Sequence, residues 1–356
     1  MTPDVLTDTL WYGLAFATAL ALVLYVTPLT IRVATTFKIT DTPDGRLKKH
    51  TEPTPYLGGL AVAAGFTIAY GLISTRETAG SQAMAILVGG FMVLLLGLYD
   101  DLLNLKPGVK FLGQLLAAVV VYKGGVMVDI SQLPWWANMG LTLLWITGVT
   151  NAFNIIDVMD GLASGTAFIA CLFLAGIALI TDQAAVVPFM AITLAGALLG
   201  YLRFNFNPAR IFLGDTGSLF VGFMVACLSM LVSYTAEHRL ALFAPMILLG
   251  IPLFDTAFVA FHRARKGIPF FRGSPDHFAL RLKHAGRSVR QVVLRTYAMG
   301  VLLGALAVFL VFGPADSIVG LLVATGLLAV GATLRLSSLP APPGRSPALP
   351  DVEDET

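Results

Sequence analysis

The stretch LLLGLYDDLLNL, residues 94–105, closes an apolar run with two adjacent carboxylates, Asp100 and Asp101. The run from 82 to 99 is long enough to cross a hydrocarbon core of ~30 Å as a helix. Similar runs lie near 8–31, 57–74, 111–128, 134–156, 162–181, 184–203, 211–234, 240–262, 291–312 and 315–334, about eleven in all. With 56% apolar residues, 12% charged and a mean hydropathy of +0.80, the chain of 356 residues has too little polar surface for a water-soluble globule. Lipid offers backbone amides no partner, and continuous apolar runs without period-two alternation exclude a barrel. The expectation is an all-α, polytopic integral membrane protein with about eleven transmembrane helices. The first run is longer than a signal-peptide core and follows Asp4 and Asp8 rather than basic residues, so it is expected to remain in the protein.

Counting Lys and Arg in alternate loops places the N-terminus outside and the C-terminus in the cytoplasm. All the basic residues except Arg76, Lys123 and Arg239 then fall on the inner side, where positive loops are retained and meet anionic membrane lipids. Residues 1–336 read as one transmembrane domain, with 263–290 as a large cytoplasmic loop and 337–356 as a disordered, Pro-rich then acidic tail. Cys171 and Cys227 lie in apolar spans and carry no information about redox compartment. No nucleic-acid signature is present.

On this topology Asp100, Asp101, Asp157, Asp160, Asp215 and Asp255 all fall near inner helix ends, whereas Glu77, Asp129, Asp182, Glu237 and Asp316 are scattered singly outside. Carboxylates beside a bilayer core are costly, and adjacent ones ionise together only near a cation. In NAFNIIDVMDG, 151–161, Asn151, Asn154, Asp157 and Asp160 recur every third residue and would line one helical flank with hard oxygen donors. Such incomplete oxygen sets suit Mg²⁺, which often completes its shell with water and substrate phosphate. RIFLGDTGSLFVG, 210–222, sets Asp215 between glycines at a helix start, where amides favour an anion. Arg46, Lys48, Lys49, His50, Lys106 and Lys110 supply positive charge nearby, and the 263–287 loop is the natural lid or specificity element. For Asp255, a structural ion pair with His262 or Arg263 and a chemical role are equally open. His238 and His284 read as solvated surface.

Five ordered segments, HTEPTPYLGG (50–59), GLYDDLLNLKPGVKF (97–111), NAFNIIDVMDGLASG (151–165), FNFNPARIFLGDTGSLFVG (204–222) and DHFALRL (276–282), resemble the signatures of the polyprenyl-phosphate N-acetylhexosamine-1-phosphate transferases. Within that family the chain is more similar to the transferases that initiate O-antigen, enterobacterial common antigen, teichoic-acid or capsule polymers than to the lipid I synthase. The resemblance implies a bacterial cytoplasmic-membrane enzyme, with its site on the cytoplasmic face. The reaction so implied is transfer of N-acetylhexosamine-1-phosphate from a UDP-N-acetylhexosamine to undecaprenyl phosphate, with release of UMP. Mg²⁺ is the implied cofactor, with Mn²⁺ as a substitute, and a homodimer is consistent with family precedent.

The resemblance further implies Asp215 and Asn154 as metal ligands, Lys110 at the diphosphate, Phe212 stacked on uracil and Asp160 at its polar edge. Asp100, Asp101 and Asp157 form the catalytic group, with Asp100 favoured as an electrostatic organiser over a base or covalent nucleophile. Lys48, Lys49 and His50, with Asp276, His277 and Arg281 of the substrate loop, are implied substrate contacts. One departure concerns specificity. Relatives carry an HxHH pattern where this chain has His277, Phe278, Ala279 and Leu280. Because that loop touches sugar and diphosphate in the family, the departure leaves the donor open: UDP-GlcNAc is the default, with UDP-FucNAc or UDP-QuiNAc as alternatives. Rival readings are the lipid I synthase, an ion-coupled secondary transporter with buried acids, and a catalytically silent scaffold.

Overall fold

The structure, a computed structural model, describes residues 3–41, 54–74, 78–181, 185–236, 239–267, 269 and 275–340. Lys48, Lys49 and His50, with Arg46, lie outside the described residues, as does the tail beyond Pro340. The described chain is helical apart from a two-residue antiparallel bridge between β1 (Thr40–Asp41) and β2 (Thr54–Pro55). In order the helices are α1 (Pro3–Thr36), α2 (Gly58–Ile73), α3 (Ser81–Leu103), α4 (Pro107–Lys123), α5 (Trp135–Ile156), α6 (Leu162–Ile180), α7 (Val186–Asn205), α8 (Gly214–Leu231), α9 (Ala244–Leu248), α10 (Gly250–Arg265), α11 (Phe278–His284), α12 (Val289–Phe312) and α13 (Ala315–Ser337).

Every expected apolar run is largely helical, but the expected count of eleven crossings is revised. Among the described residues eight helices are long and apolar enough to cross a membrane, and a ninth if a bent pair is one span. The runs at 57–74 and 111–128 fold as helices of 16 and 17 residues. The bent pair joins 239–248 to α10 at an angle of 73°. Pro252 lies just past the break and has no amide hydrogen to donate back to Leu248, so a continuous helix is interrupted there.

The helix ends follow local chemistry. Pro107 opens α4 at a position whose amide would have no intrahelical partner. Ser288 and Gln291 form a reciprocal capping box at the start of α12. Within the apolar spans, Thr150, Thr166 and Thr193 return their hydroxyl hydrogens to the carbonyls of Ile146, Leu162 and Phe189, which removes the penalty of an unpaired polar group.

Burial is uneven. The spans of α7 and α8 are 83% and 78% buried, while that of α13 is 6% buried and meets its surroundings on nearly every face. Helix α8 is the centre, packed by α2, α3, α5, α6 and α7. Close approach there requires glycine: a Cβ on Gly97 of α3 would strike the Asp215 carbonyl, and one on Gly59 of α2 would strike the Gly217 backbone. Gly97→Val is therefore expected to separate α3 from α8 and destabilise the protein by about 1–3 kcal/mol or more. Gly148→Ala, at a position on α5 with open space around it, should raise stability by about 0.5–1 kcal/mol through helix propensity. Thermal unfolding of the detergent-solubilised chain checks both, and equal effects would contradict the packing.

Candidate active site

The short connection 104–106 makes α3 and α4 an antiparallel hairpin, with Asn104 in the left-handed conformation that ends α3 (φ 51°). This turn brings Lys110, in the first turns of α4, opposite Asp100 in the last turn of α3. The Lys110 Nζ lies 2.8 Å from Asp100 Oδ2, pairs with Asp215 Oδ2 of α8, and donates to Asn154 Oδ1 of α5 at 3.2 Å. Asn154 Nδ2 in turn donates to Asp215 Oδ1 at 2.6 Å and to Ser218 Oγ at 2.9 Å. Four helices thus deliver their ends to one ammonium group, and each carboxylate oxygen facing it is compensated.

Asp100 and Asp101, adjacent in sequence, go to different partners. The second oxygen of Asp100 accepts from the Leu105 amide at 2.7 Å and closes the turn out of α3. Asp101 Oδ1 accepts from the Asp215 amide at 2.8 Å, and its Oδ2 accepts from the Thr216 amide and hydroxyl at 2.9 and 2.6 Å. Those two amides at the start of α8, expected to be available to a phosphate, are therefore already engaged. The divergence follows from helix geometry, in which consecutive side chains project about 100° apart.

The expected flank of Asn151, Asn154, Asp157 and Asp160 is also corrected. Helix α5 ends at Ile156, so Asp157 and Asp160 lie in the turn before α6, which reverses through Gly161 at φ +77°. Asn151 sits one turn deeper than Asn154, donating to Gln114 Oε1 and to the Thr147 carbonyl at 2.8 Å. Asp160 Oδ2 accepts from Asn207 Nδ2 and the Ala209 amide at 2.8 and 3.1 Å, fixing the segment that leads to Phe212. Phe212 is half-buried, and its backbone bonds Pro55 and Gly58 on either side of the bend between β2 and α2. Asp157 lies just past the membrane-spanning part of α5. Burial, then the charges of Asp215, Asp101 and Asp160, push its carboxyl up to about 8.

Sequence reasoning did not single out Gln114 or Ser218 as site residues. Gln114 lies four residues after Lys110, so the helical repeat puts both on one face of α4; a buried amide in an apolar helix was the available signal.

The substrate-loop candidates form a second cluster. His277 Nδ1 lies 2.7 Å from Asp255 Oδ2, and the Phe278 amide donates to Asp255 Oδ1 at 3.0 Å. Asp255 therefore pairs with His277. Asp276 holds Arg281 at 2.9 Å and Lys266 at 2.6 Å. Arg281 also donates to the carbonyls of Leu336, Ser337 and Leu339 at 3.4, 3.4 and 3.2 Å and lies over the Phe258 ring. Asp276, His277 and Arg281 are all buried in this arrangement, and these bonds tie them to the protein itself.

Among the described residues no three His, Cys, Asp or Glu side chains converge as a metal cage. The oxygens of Asp100, Asp215 and Asn154 do converge on a cation, the Lys110 ammonium. That donor set fits a hard divalent ion that keeps water and takes part of its shell from a bound phosphate, and not a fully protein-ligated one.

The signature of Glycosyl transferase family 4 matches residues 83–233, which contain the α3, α4, α5 and α8 contributions to this cluster. The chain is 36% identical to a probable undecaprenyl-phosphate N-acetylglucosaminyl 1-phosphate transferase of Bacillus subtilis, over 83% of this chain and 84% of that protein. It is 33% identical to a decaprenyl-phosphate N-acetylglucosaminephosphotransferase of Mycobacterium tuberculosis, over 80% of each. A phospho-N-acetylmuramoyl-pentapeptide-transferase of Desulforudis audaxviator is 31% identical over 83% of this chain and 95% of its own length. Similarity at this level across nearly the whole membrane domain places the chain in the polyprenyl-phosphate N-acetylhexosamine-1-phosphate transferase family.

Proposed function

We propose that the protein transfers N-acetylhexosamine-1-phosphate from a UDP-sugar, UDP-GlcNAc by default, to undecaprenyl phosphate on the cytoplasmic face of a bacterial membrane, releasing UMP. The product would be the lipid-linked first sugar of a cell-surface polymer. The observation that carries this reading is the Lys110 ammonium shared by Asp100, Asp215 and Asn154 where four helices end. The N-acetylglucosaminyl donors named for the Bacillus and Mycobacterium relatives support the choice of sugar.

Phosphoryl transfer asks a protein mainly for alignment and for compensation of charge on phosphate oxygens. Lys110 carries a positive charge that a diphosphate could share with Asp100 and Asp215, and Asn154 offers an amide oxygen beside them. Asp215, Asn154 and Asp100 would hold Mg²⁺. When bound, the ion supplies charge neutralisation for the diphosphate and the departing UMP. Asp100, already paired with Lys110, fits an electrostatic organiser, since a lipid phosphate is ionised near neutral pH and needs no strong base. Phe212 would stack on the uracil, and Asp160 fixes the segment before it.

A panel of UDP-sugars with undecaprenyl phosphate, scored by UMP release, tests the reading. UDP-GlcNAc should be turned over in a Mg²⁺-dependent way that Mn²⁺ partly restores, and turnover only with UDP-MurNAc-pentapeptide would assign the chain to lipid I synthesis. Release of UMP with none of the sugars would refute transferase function.

Asp100→Asn, Asp215→Asn and Lys110→Met should each lower turnover by about a hundredfold or more while leaving a folded protein. Near-wild-type rates in all three would remove the site assignment.

The raised pKa of Asp157 gives a separate expectation. Because the folded state holds its proton more tightly than the unfolded chain, the metal-free protein should lose thermal stability as pH rises from about 4 to about 8 and level off above that. Mg²⁺ should offset that loss, and Asp157→Asn should flatten it. A pH-independent unfolding midpoint in the metal-free protein would contradict the electrostatic picture.

A further inference from the structure

We infer that Asp101 is a positioning residue: from the end of α3 it caps the start of α8 and thereby fixes where the Asp215 carboxylate stands, without itself touching substrate or metal. As a role within the reaction, this rests on the transferase reading above.

A helix leaves its first amides without intrahelical acceptors, and a side-chain oxygen just ahead of the helix commonly takes one of them. At α8 the preceding residue is Leu213, which has no such oxygen. The acceptor comes instead from another helix. Asp101 takes the Asp215 and Thr216 amides on separate oxygens and the Thr216 hydroxyl as well, at 2.6–2.9 Å. A carboxylate is the favoured group at that end, where the aligned peptide dipoles are positive.

The backbone is shaped for this contact. Gly214 has φ +72°, and a Cβ there would lie 2.7 Å from Asp101 Oδ2, so glycine both adopts the conformation and admits the carboxylate. One of the capped amides belongs to Asp215 itself, whose side chain pairs with Lys110 and Asn154. Moving the cap would move that carboxylate. Asp100, by contrast, turns one oxygen to Lys110. The adjacent acids thus divide two tasks, one supporting the α8 backbone and the other meeting the charge cluster.

The test compares Asp101→Asn, Asp101→Ala, Thr216→Val and the double variant Asp101→Asn/Thr216→Val in the full chain with Mg²⁺, UDP-GlcNAc and undecaprenyl phosphate. An asparagine keeps one acceptor for the amides and can donate to the Thr216 hydroxyl, so it should partly rescue. Asp101→Asn should lower kcat on the order of tenfold and leave KM for the UDP-sugar unchanged. Asp101→Ala should cost about a hundredfold through misplacement of the neighbouring carboxylate. Thr216→Val should be less than additive with Asp101→Asn. The inference is overturned if Asp101→Asn removes turnover as completely as Asp100→Asn, or if its loss is no smaller than that of Asp101→Ala.

Unfolding midpoints of the same variants without substrate provide a readout independent of turnover. Coupled losses at positions 101 and 216 support the cap, and fully additive losses refute it. If wild-type protein released no UMP, the transferase reading would fail and the midpoints alone would decide the cap. Should Asp101→Ala not fold, Asp101→Asn and Thr216→Val complete the cycle.

Discussion

A single ammonium group among oxygens from three other helices is the constraint around which one end of this bundle is organised. Lys110, Asp100, Asp215 and Asn154 come from α4, α3, α8 and α5, and none could be left beside a hydrocarbon core without the others. Removing one partner strands charge instead of merely losing a bond. The cluster therefore dictates relative helix positions as well as chemistry. The glycine contacts of α8 with α2 and α3 are its packing counterpart, because Asp215 can reach Lys110 only if α8 lies nearly backbone to backbone with α3.

Beneath this cluster the polar path continues one turn toward the bilayer interior through Gln114 and Asn151. An amide pair satisfies its own hydrogen bonds without a net charge, which makes it a suitable tie between α4 and α5 at greater depth. Charge is thus confined to the surface layer, and neutral polarity is used below it. The gradient leaves the reactive layer near water while still locking the helices that present it.

Much of this was legible in the sequence because the membrane imposes a simple rule: acids beside apolar runs must have a reason to be there. Asp100 and Asp215 stand out on that basis, Asn154 through its three-residue spacing and Lys110 as a basic residue just after the aspartate pair, and the structure brings all four within bonding distance. What was not legible depends on where helices stop and on contacts distant in sequence. The three-residue repeat of Asn151, Asn154, Asp157 and Asp160 reads as one continuous flank, but the helix ends at Ile156 and the last two residues turn away. Adjacency made Asp100 and Asp101 read as a pair, although helical rotation separates them. Asp255 has His262 and Arg263 nearby in sequence, yet its partner is His277, on the far side of a loop whose path no local pattern encodes. The count of eleven crossings is not confirmed for a related reason, since an apolar run does not show how long its helix will be, and those at 57–74 and 111–128 fold as helices of 16 and 17 residues.

Helix α13 is the least embedded part of the molecule, but its end is not loose. Arg281 reaches two of its terminal carbonyls and that of Leu339 just beyond while also gripping Asp276, so the last turn of the final described helix and the segment carrying His277 share one buried guanidinium. A helix surrounded mainly by lipid will follow the thickness and lateral pressure of the bilayer more readily than the enclosed helices do. Through that shared guanidinium, bilayer mechanics has a direct bonded route to the segment that carries Asp276 and His277.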